Sequence, residues 1–266
     1  SGLASDFEAR KILREVESRI YSYFKELALP DSATIYDYLV LSLREKDVIA
    51  TFNWDPLLVQ AISRNGHRFK MPKVLFLHGN VGVGFCEKGH SMGHTGSVCS
   101  ICGSSLSPTP LLFPIENKNY HKDEFIKRQW DVLSQALESA LLVTIFGYGA
   151  PSSDLSAVEL LKGAWGSPTS RSIEEVEIID VKNENELVNT WSFLIHSHHY
   201  SVENDFFNSW IAKHPRRTCE AFMNQYIEAK FIENNDIRRF EDLSKAWLWF
   251  DELQLHEIFK DEEKGT

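Results

Sequence analysis

The chain has 266 residues, a formal net charge of −10, and 43% hydrophobic and 25% charged residues. That composition fits one large globular domain, or one domain with a small insertion. The acidic balance excludes a general nucleic-acid binder, which needs clustered Lys and Arg, and no apolar run approaches the roughly 18 residues that span a bilayer.

In chain order, Phe7, Ile12, Val16, Ile20, Phe24 and Leu27 fall at helical spacing over residues 5–28, and Ile35, Tyr38, Leu39 and Leu43 continue it over 34–45. Both segments predict amphipathic helices. Four apolar runs then alternate with helical patterns: 47–52 (DVIATF), 73–77 (KVLFL), 141–146 (LLVTIF) and 175–180 (EVEIID). This alternation predicts a parallel sheet in an α/β, Rossmann-like domain. The segment 80–118, rich in Gly, Ser, Cys, His and Pro, breaks the rhythm and reads as a small inserted module. From residue 184 onward the pattern is helical and aromatic, with a break near Pro215 and one more amphipathic helix over 238–260. The expected domains are therefore 1–79 with 119–215 as the α/β unit, 80–118 as a zinc-binding insertion and 216–266 as a helical C-terminal extension. The start at Ser1-Gly2 in place of Met is expected of a processed chain or a piece of a longer one. An acidic, helical N-terminus without signal-peptide layout predicts a cytoplasmic location.

Ligands of open parallel sheets bind outside the carboxyl ends of the strands. The first strand run ends in Asn53-Trp54-Asp55, the second in His78-Gly79, the third in GYGAPSSD (147–154) and the fourth on Asp180. Each end carries a polar side chain that can reach a ligand, or a glycine that lets backbone approach one. Plainer readings stand beside these. Asp55 before Pro56 suits a helix cap, the third end suits an ordinary strand-to-helix turn, and Asp180 suits a turn cap. A lone His78 is more often structural, and the glycines of GNVGVG (79–84) read as loop flexibility.

Three of the four cysteines, Cys86, Cys99 and Cys102, lie within one short stretch with His90 and His94 nearby. Clustered thiols in a cytosolic chain favour a metal over a disulfide, and three Cys with one His make a closed tetrahedral zinc site of structural type. His90 is the preferred fourth ligand, with His94 as its competitor. The histidines of IHSHHY (195–200) lack a completing ligand and read as surface or local hydrogen bonding.

The order TFNWD, LHGN, a four-ligand zinc module ending in SPTPLLFP, and IFGYGAPSSD resembles the sirtuin family, especially its divergent bacterial NAD-hydrolysing branch of phage-defence proteins. The resemblance spans roughly residues 34–215. It implies NAD and zinc as cofactors, with Asn53 contacting the nicotinamide ribose and positioning the attacking group, and His78 as general base. Asp55 matches the motif's acidic position. Gly147, Tyr148 and Ser152 match the segment lining the dinucleotide, and Asp180 falls where the family contacts the adenosine half. It further implies cleavage of NAD at the nicotinamide–ribose bond, with protein deacylation or a non-catalytic nucleotide-sensing role as alternatives, and a homo-oligomer or larger defence assembly as context. The pattern departs from the family at its start: the Gly-Ala-Gly-x-Ser loop that holds the pyrophosphate has no counterpart before the first helix.

Overall fold

The computed structural model describes residues 2–113, 120, 122–151 and 154–264. The chain opens with α1 (Gly2–Lys25) and α2 (Ile35–Ser42), followed by β1 (Val48–Thr51), α3 (Leu57–Asn65) and β2 (Lys73–Phe76). Three short strands come next: β3 (Val83–Phe85), β4 (Met92–His94) and β5 (Ser107–Pro108). Then α4 (Glu124–Ser139), β6 (Leu142–Phe146), α5 (Leu155–Trp165), β7 (Glu175–Ile179), α6 (Glu184–Trp191) and β8 (Tyr200–Glu203) alternate. The short α7 (Trp210–Lys213) and α8 (Thr218–Phe222) lead to a long α9 (Leu243–Lys264).

All four predicted strand runs form strands, and all pair in parallel. β1 pairs β2 with Val48 opposite Lys73, while β6 pairs β7 with Leu142 opposite Glu175, and β7 pairs β8 with Val176 opposite Tyr200. The pairing gives two sheets, β1-β2 and β6-β7-β8, where the sequence pattern predicts one. Among the described residues no ladder joins β1 to β6; side-chain packing joins them instead. Val48, Ala50, Val143, Ile145, Val176 and Ile178 share one apolar cluster with α4, α5 and α6. Ile49, Val74 and Ile179 join the opposite cluster with α2, α3, α7 and α9. Adjacent strand residues point to opposite faces, so alternate side chains enter different cores and helices cover both layers.

β8 lies in the region that the sequence pattern assigns to helix. Tyr200 and Val202 alternate with Ser201 and Glu203, but four residues are too few for that period to show beside the flanking helical patterns. The Pro215 break is real, and the helices beside it are short: Ser209 caps α7 by accepting from Ala212 N at 3.2 Å. Helix α4 is the clearest amphipathic element. Asp123 accepts from Ile126 N at 3.0 Å at its start, and Phe125, Ile126, Trp130, Leu133 and Leu137 are buried along one stripe. Helix α1 behaves differently. Its C-terminal end packs through Phe24 against Trp54, but Ile12, Leu13 and Val16 are exposed.

The inserted segment forms its own three-stranded antiparallel sheet, order β4-β3-β5. Its buried apolar cluster consists of Cys86, Cys99 and Leu106, too little to order the segment without a further constraint.

Candidate functional site

The cysteine module brings Cys86, His90, Cys99 and Cys102 together, with one ligand atom from each all within 4.8 Å of one another. Cys86 Sγ and Cys102 Sγ are 3.6 Å apart. Tetrahedral zinc with sulfurs at about 2.3 Å requires sulfur pairs about 3.8 Å apart, whereas a disulfide requires about 2.05 Å. The separation therefore fits a shared cation. The surroundings favour thiolate: the Ser104 hydroxyl and amide, then His90, push the Cys102 thiol down to about 5. Ser91 Oγ donates to Cys99 Sγ at 3.2 Å and lowers that thiol too. His94 stands apart from the cluster, with Nε2 2.9 Å from Ser63 Oγ, so the geometry selects His90 over its competitor. Four protein ligands leave no open position, which is the character of a structural site.

The strand ends form the second candidate site. β1 stops because Asn53 and Asp55 turn the chain: Asn53 N donates to Thr51 Oγ1 at 3.0 Å, and Asp55 Oδ1 accepts from Leu57 N at 3.0 Å. Asp55 thus starts α3, and Asn53 stays exposed. Tyr36 on α2 reaches this point and hydrogen-bonds the Asn53 side chain; burial first and then the Asp55 charge raise its phenol above the ordinary value. Beneath them lies Asn80, 1% exposed. Its Nδ2 donates to the carbonyls of Asp55 at 2.6 Å and Asn53 at 3.3 Å, and its Oδ1 accepts from Gly82 N at 2.9 Å.

His78, at the end of β2, is 5% exposed. Phe52 packs edge-on against its imidazole at 4.8 Å, and Tyr120 lies nearly parallel to it at 5.7 Å. His78 Nε2 and the Tyr120 hydroxyl are 2.8 Å apart. Gly79 holds this corner with φ +79, and a Cβ there would meet Pro110 O at 1.7 Å. Close backbone approach and the positive φ therefore leave no room for a side chain at this position.

β6 ends in a strained turn, with Gly147 at φ 64 and Ala150 at φ 43. Tyr148 stacks on Phe52 at 3.9 Å with 9° between the rings, which links the ends of the two sheets. Its hydroxyl donates to Asp154 Oδ2 at 3.1 Å. Asp154 occupies the N-cap position of α5 without a side-chain cap bond, and it is 5% exposed. Burial, reinforced by the Asp154 charge, raises the Tyr120 and Tyr148 phenols well above their ordinary value. Asp180, at the end of β7, accepts from Lys182 N at 3.1 Å, which is the turn-cap arrangement. Ser152 lies outside the described residues.

The structure thus brings His78, Tyr148 and Phe52 into one aromatic group, with Asn53 at its exposed edge and Asp180 on a separate turn. Tyr36, Asn80 and Tyr120 carry no sequence signal of their own. Asn80 follows His-Gly directly, and a buried amide after such a pair is the one hint available. Asp154 reads from sequence as a helix cap, and only the fold turns its carboxylate toward Tyr148.

No protein-family model matches the chain, and no curated protein does. Solved structures that resemble it are Sir2 proteins. A Sir2 protein bound to a propionylated peptide shares 17% identity at a TM-score of 0.39, over 73% of this chain and 76% of that one. A structure concerned with sirtuin substrate affinity shares 15% identity at 0.40, over 82% of each chain. A Sir2 homologue in complex with NAD shares 17% at 0.33, over 64% of this chain and 58% of that one. At such identities and superpositions, the chemistry rests on the residues of this chain itself.

Proposed function

We propose that this protein binds NAD at the strand ends and cleaves its nicotinamide–ribose bond. The observation that carries this reading is the convergence at one place of Asn53 and the Phe52 ring after β1, His78 after β2 and the Tyr148–Asp154 pair after β6. Carboxyl ends of parallel strands are where such sheets bind nucleotides.

Cleavage of this C–N bond passes through an oxocarbenium-like state, so the site has to bind, orient and exclude competing water while one group takes a proton. Asn53, exposed and held by Tyr36, orients the ribose or the attacking water. His78 takes the proton; a positioned general base of this kind contributes about 10²- to 10⁴-fold. Tyr148 and Gly147 line the dinucleotide, Asp180 and Asp55 border it, and Ser152 is assigned to it by the motif alone. Zinc, held by Cys86, His90, Cys99 and Cys102, ties the inserted module together and takes no part in bond cleavage. The division into an α/β unit (1–79 and 119–215), a zinc module (80–118) and a helical extension (216–266) belongs to the same proposal.

Calorimetric titration with NAD, followed by an assay for released nicotinamide, tests the reading. Binding with release is expected, and Asn53→Ala abolishes release without unfolding the chain, because Asn53 is exposed. Unchanged release in Asn53→Ala removes the mechanism. Absence of NAD binding removes the whole reading and leaves a non-catalytic, partner-binding domain.

An NAD-dependent protein deacylase begins with the same bond cleavage, so the strand-end geometry supports it as well. An acylated lysine peptide distinguishes the two: nicotinamide release that depends on the peptide identifies a deacylase, and release without it identifies a glycohydrolase. A place in antiviral defence follows from NAD depletion. It is tested by phage challenge of cells carrying the wild-type chain or Asn53→Ala, with protection expected only from the former.

A further inference from the structure

Two rings meet between the ends of β1 and β6. Phe52 follows β1 and directly precedes Asn53, while Tyr148 follows β6 and stacks on Phe52 at 3.9 Å with 9° between the planes. No planar ligand ring fits between them at this distance. The stack is also a poor one of its kind: two electron-rich faces prefer an offset or edge-to-face arrangement with centroids roughly 4.5–7 Å apart. The two rings are held unequally. His78 at 4.8 Å and Trp130 at 6.0 Å make T-shaped contacts that fix the Phe52 ring. Tyr148 sits on a turn between two left-handed residues, Gly147 at φ 64 and Ala150 at φ 43. A Cβ built on Gly147 meets nothing within 4 Å, and among the described residues no backbone hydrogen bond ties Tyr148, Gly149 or Ala150. Side-chain contacts hold the ring instead: its hydroxyl on Asp154 at 3.1 Å, a tilted approach to Trp191 at 5.8 Å, and Phe52 itself.

We propose that the face of Phe52 covered by Tyr148 is the seat of the nicotinamide ring, and that Tyr148 is a shutter which fills this seat until the oxidised dinucleotide displaces it. The inference rests on the strand ends being the NAD site, where Asn53, the next residue, meets the nicotinamide ribose. The ring of oxidised NAD is an electron-poor pyridinium cation, and a cation is attracted to the face of an aromatic ring that another phenyl face meets unfavourably. Exchange of the phenol for the pyridinium therefore improves the stack on Phe52. Reduced NADH has a neutral ring and lacks the attraction, and ADP-ribose has no ring to seat. Because the seat is open only for a fraction of the time, Tyr148 weakens NAD binding by that fraction. A side chain that only contacts the bound ligand has the opposite effect.

Calorimetric dissociation constants test the shutter, measured with ADP-ribose and with carba-NAD, in which a methylene replaces the ribose ring oxygen so that the pyridinium is kept and cleavage is blocked. Tyr148→Ala is expected to bind carba-NAD about three- to tenfold more tightly than the wild type, and Phe52→Leu to bind it more weakly by a similar factor. Binding of ADP-ribose is expected to change little in either variant, which also shows that both fold. The second readout is the ¹⁹F resonance of Tyr148 in 3-fluorotyrosine-labelled protein, identified by its loss in Tyr148→Phe; it is expected to shift with carba-NAD and to stay in place with ADP-ribose. Weaker binding of carba-NAD by Tyr148→Ala, an unchanged constant in a folded Phe52→Leu, or a Tyr148 resonance that carba-NAD leaves in place overturns the shutter while NAD binding stands. Where Phe52→Leu does not fold, the direction of the Tyr148→Ala effect and the resonance decide. A wild type that binds neither ligand beside a Tyr148→Ala variant that binds carba-NAD supports the shutter, and failure of both chains to bind either ligand overturns the NAD reading and the shutter together.

Discussion

Replacing Asp37 by Asn perturbs the anchor of α2, the helix that carries Tyr36 to Asn53. Asp37 is fully buried and accepts from Thr34 N at 2.7 Å, Thr34 Oγ1 at 2.6 Å, Arg64 Nε at 2.6 Å and Asn65 Nδ2 at 2.9 Å, with Arg64 Nη2 as a further donor. Burial alone would raise its carboxyl, but Arg64, Thr34 and Asn65 outweigh that and hold it below the ordinary range. An Asn side chain can keep one acceptor atom, yet its amide nitrogen then faces donors. Breaking a buried charge pair costs about 3–5 kcal/mol, and Arg64 is 21% exposed and can rehydrate in part, which places Asp37→Asn near the lower end, about 3 kcal/mol. For a chain of this size that is a fall in Tm of about 6–12 °C, read by thermal melting, with a matching drop in the denaturant midpoint at constant slope. The sign with pH follows from the depressed carboxyl: its stabilisation is present above the unfolded-state value of about 3.9 and is lost as pH falls through the folded-state value. A loss under about 1 kcal/mol at pH 7, or a wild-type-to-variant difference that does not shrink in acid, refutes this account of the α2 anchor.

Elemental analysis of carefully prepared protein is expected to find about one equivalent of zinc, and Cys102→Ser to lose most of it, with the module becoming protease-sensitive around residues 83–108; a zinc-free wild type that keeps its fold refutes the site. Glu175 on β7 has its carboxyl raised to about 7, by burial and then by the Glu177 charge. A raised carboxyl favours the fold below the unfolded-state value of about 4.3 and loses that contribution as pH climbs through about 7, so Glu175→Gln is expected to raise Tm at pH 8 and to leave it nearly unchanged at pH 4. An equal effect at both pH values sinks the assignment. Gly79→Ala is expected to destabilise the chain or to shift the 110–111 backbone, because the added methyl overlaps Pro110 O; a variant with wild-type Tm and wild-type nicotinamide release is the contrary outcome.

Much of the scaffold was legible from period alone. A run such as LLVTIF is apolar on both faces, and that pattern needs helices above and below, which is what the two clusters supply. β8 escaped because Tyr200 to Glu203 is too short to display alternation, and the division into two sheets escaped because a strand sequence does not encode which neighbour it pairs with. At the cysteine module, residue type and spacing were enough to pick four side chains whose ligand atoms the structure brings within 4.8 Å of one another, since thiolate chemistry has few substitutes. At the strand ends, Asn53 and His78 could be named from their position after apolar runs, whereas Tyr120 stands in a stretch, NKNYHKD, that looks like any polar loop. Its contact with His78 spans 42 positions of chain, which no local pattern reports.

The side chain of Asn80 gives the molecule a mechanical property. One amide grips the two carbonyls that shape the end of β1, while its own backbone trades hydrogen bonds with Thr109 at 2.9 and 2.8 Å on the far side of the inserted module. Asn53 therefore does not hang from its strand alone; it is braced against the scaffold that carries Cys86, His90, Cys99 and Cys102. If zinc holds that scaffold as proposed, stripping it loosens the Asn53 turn some distance away, so a spectroscopic probe at that turn would double as a gauge of metal occupancy.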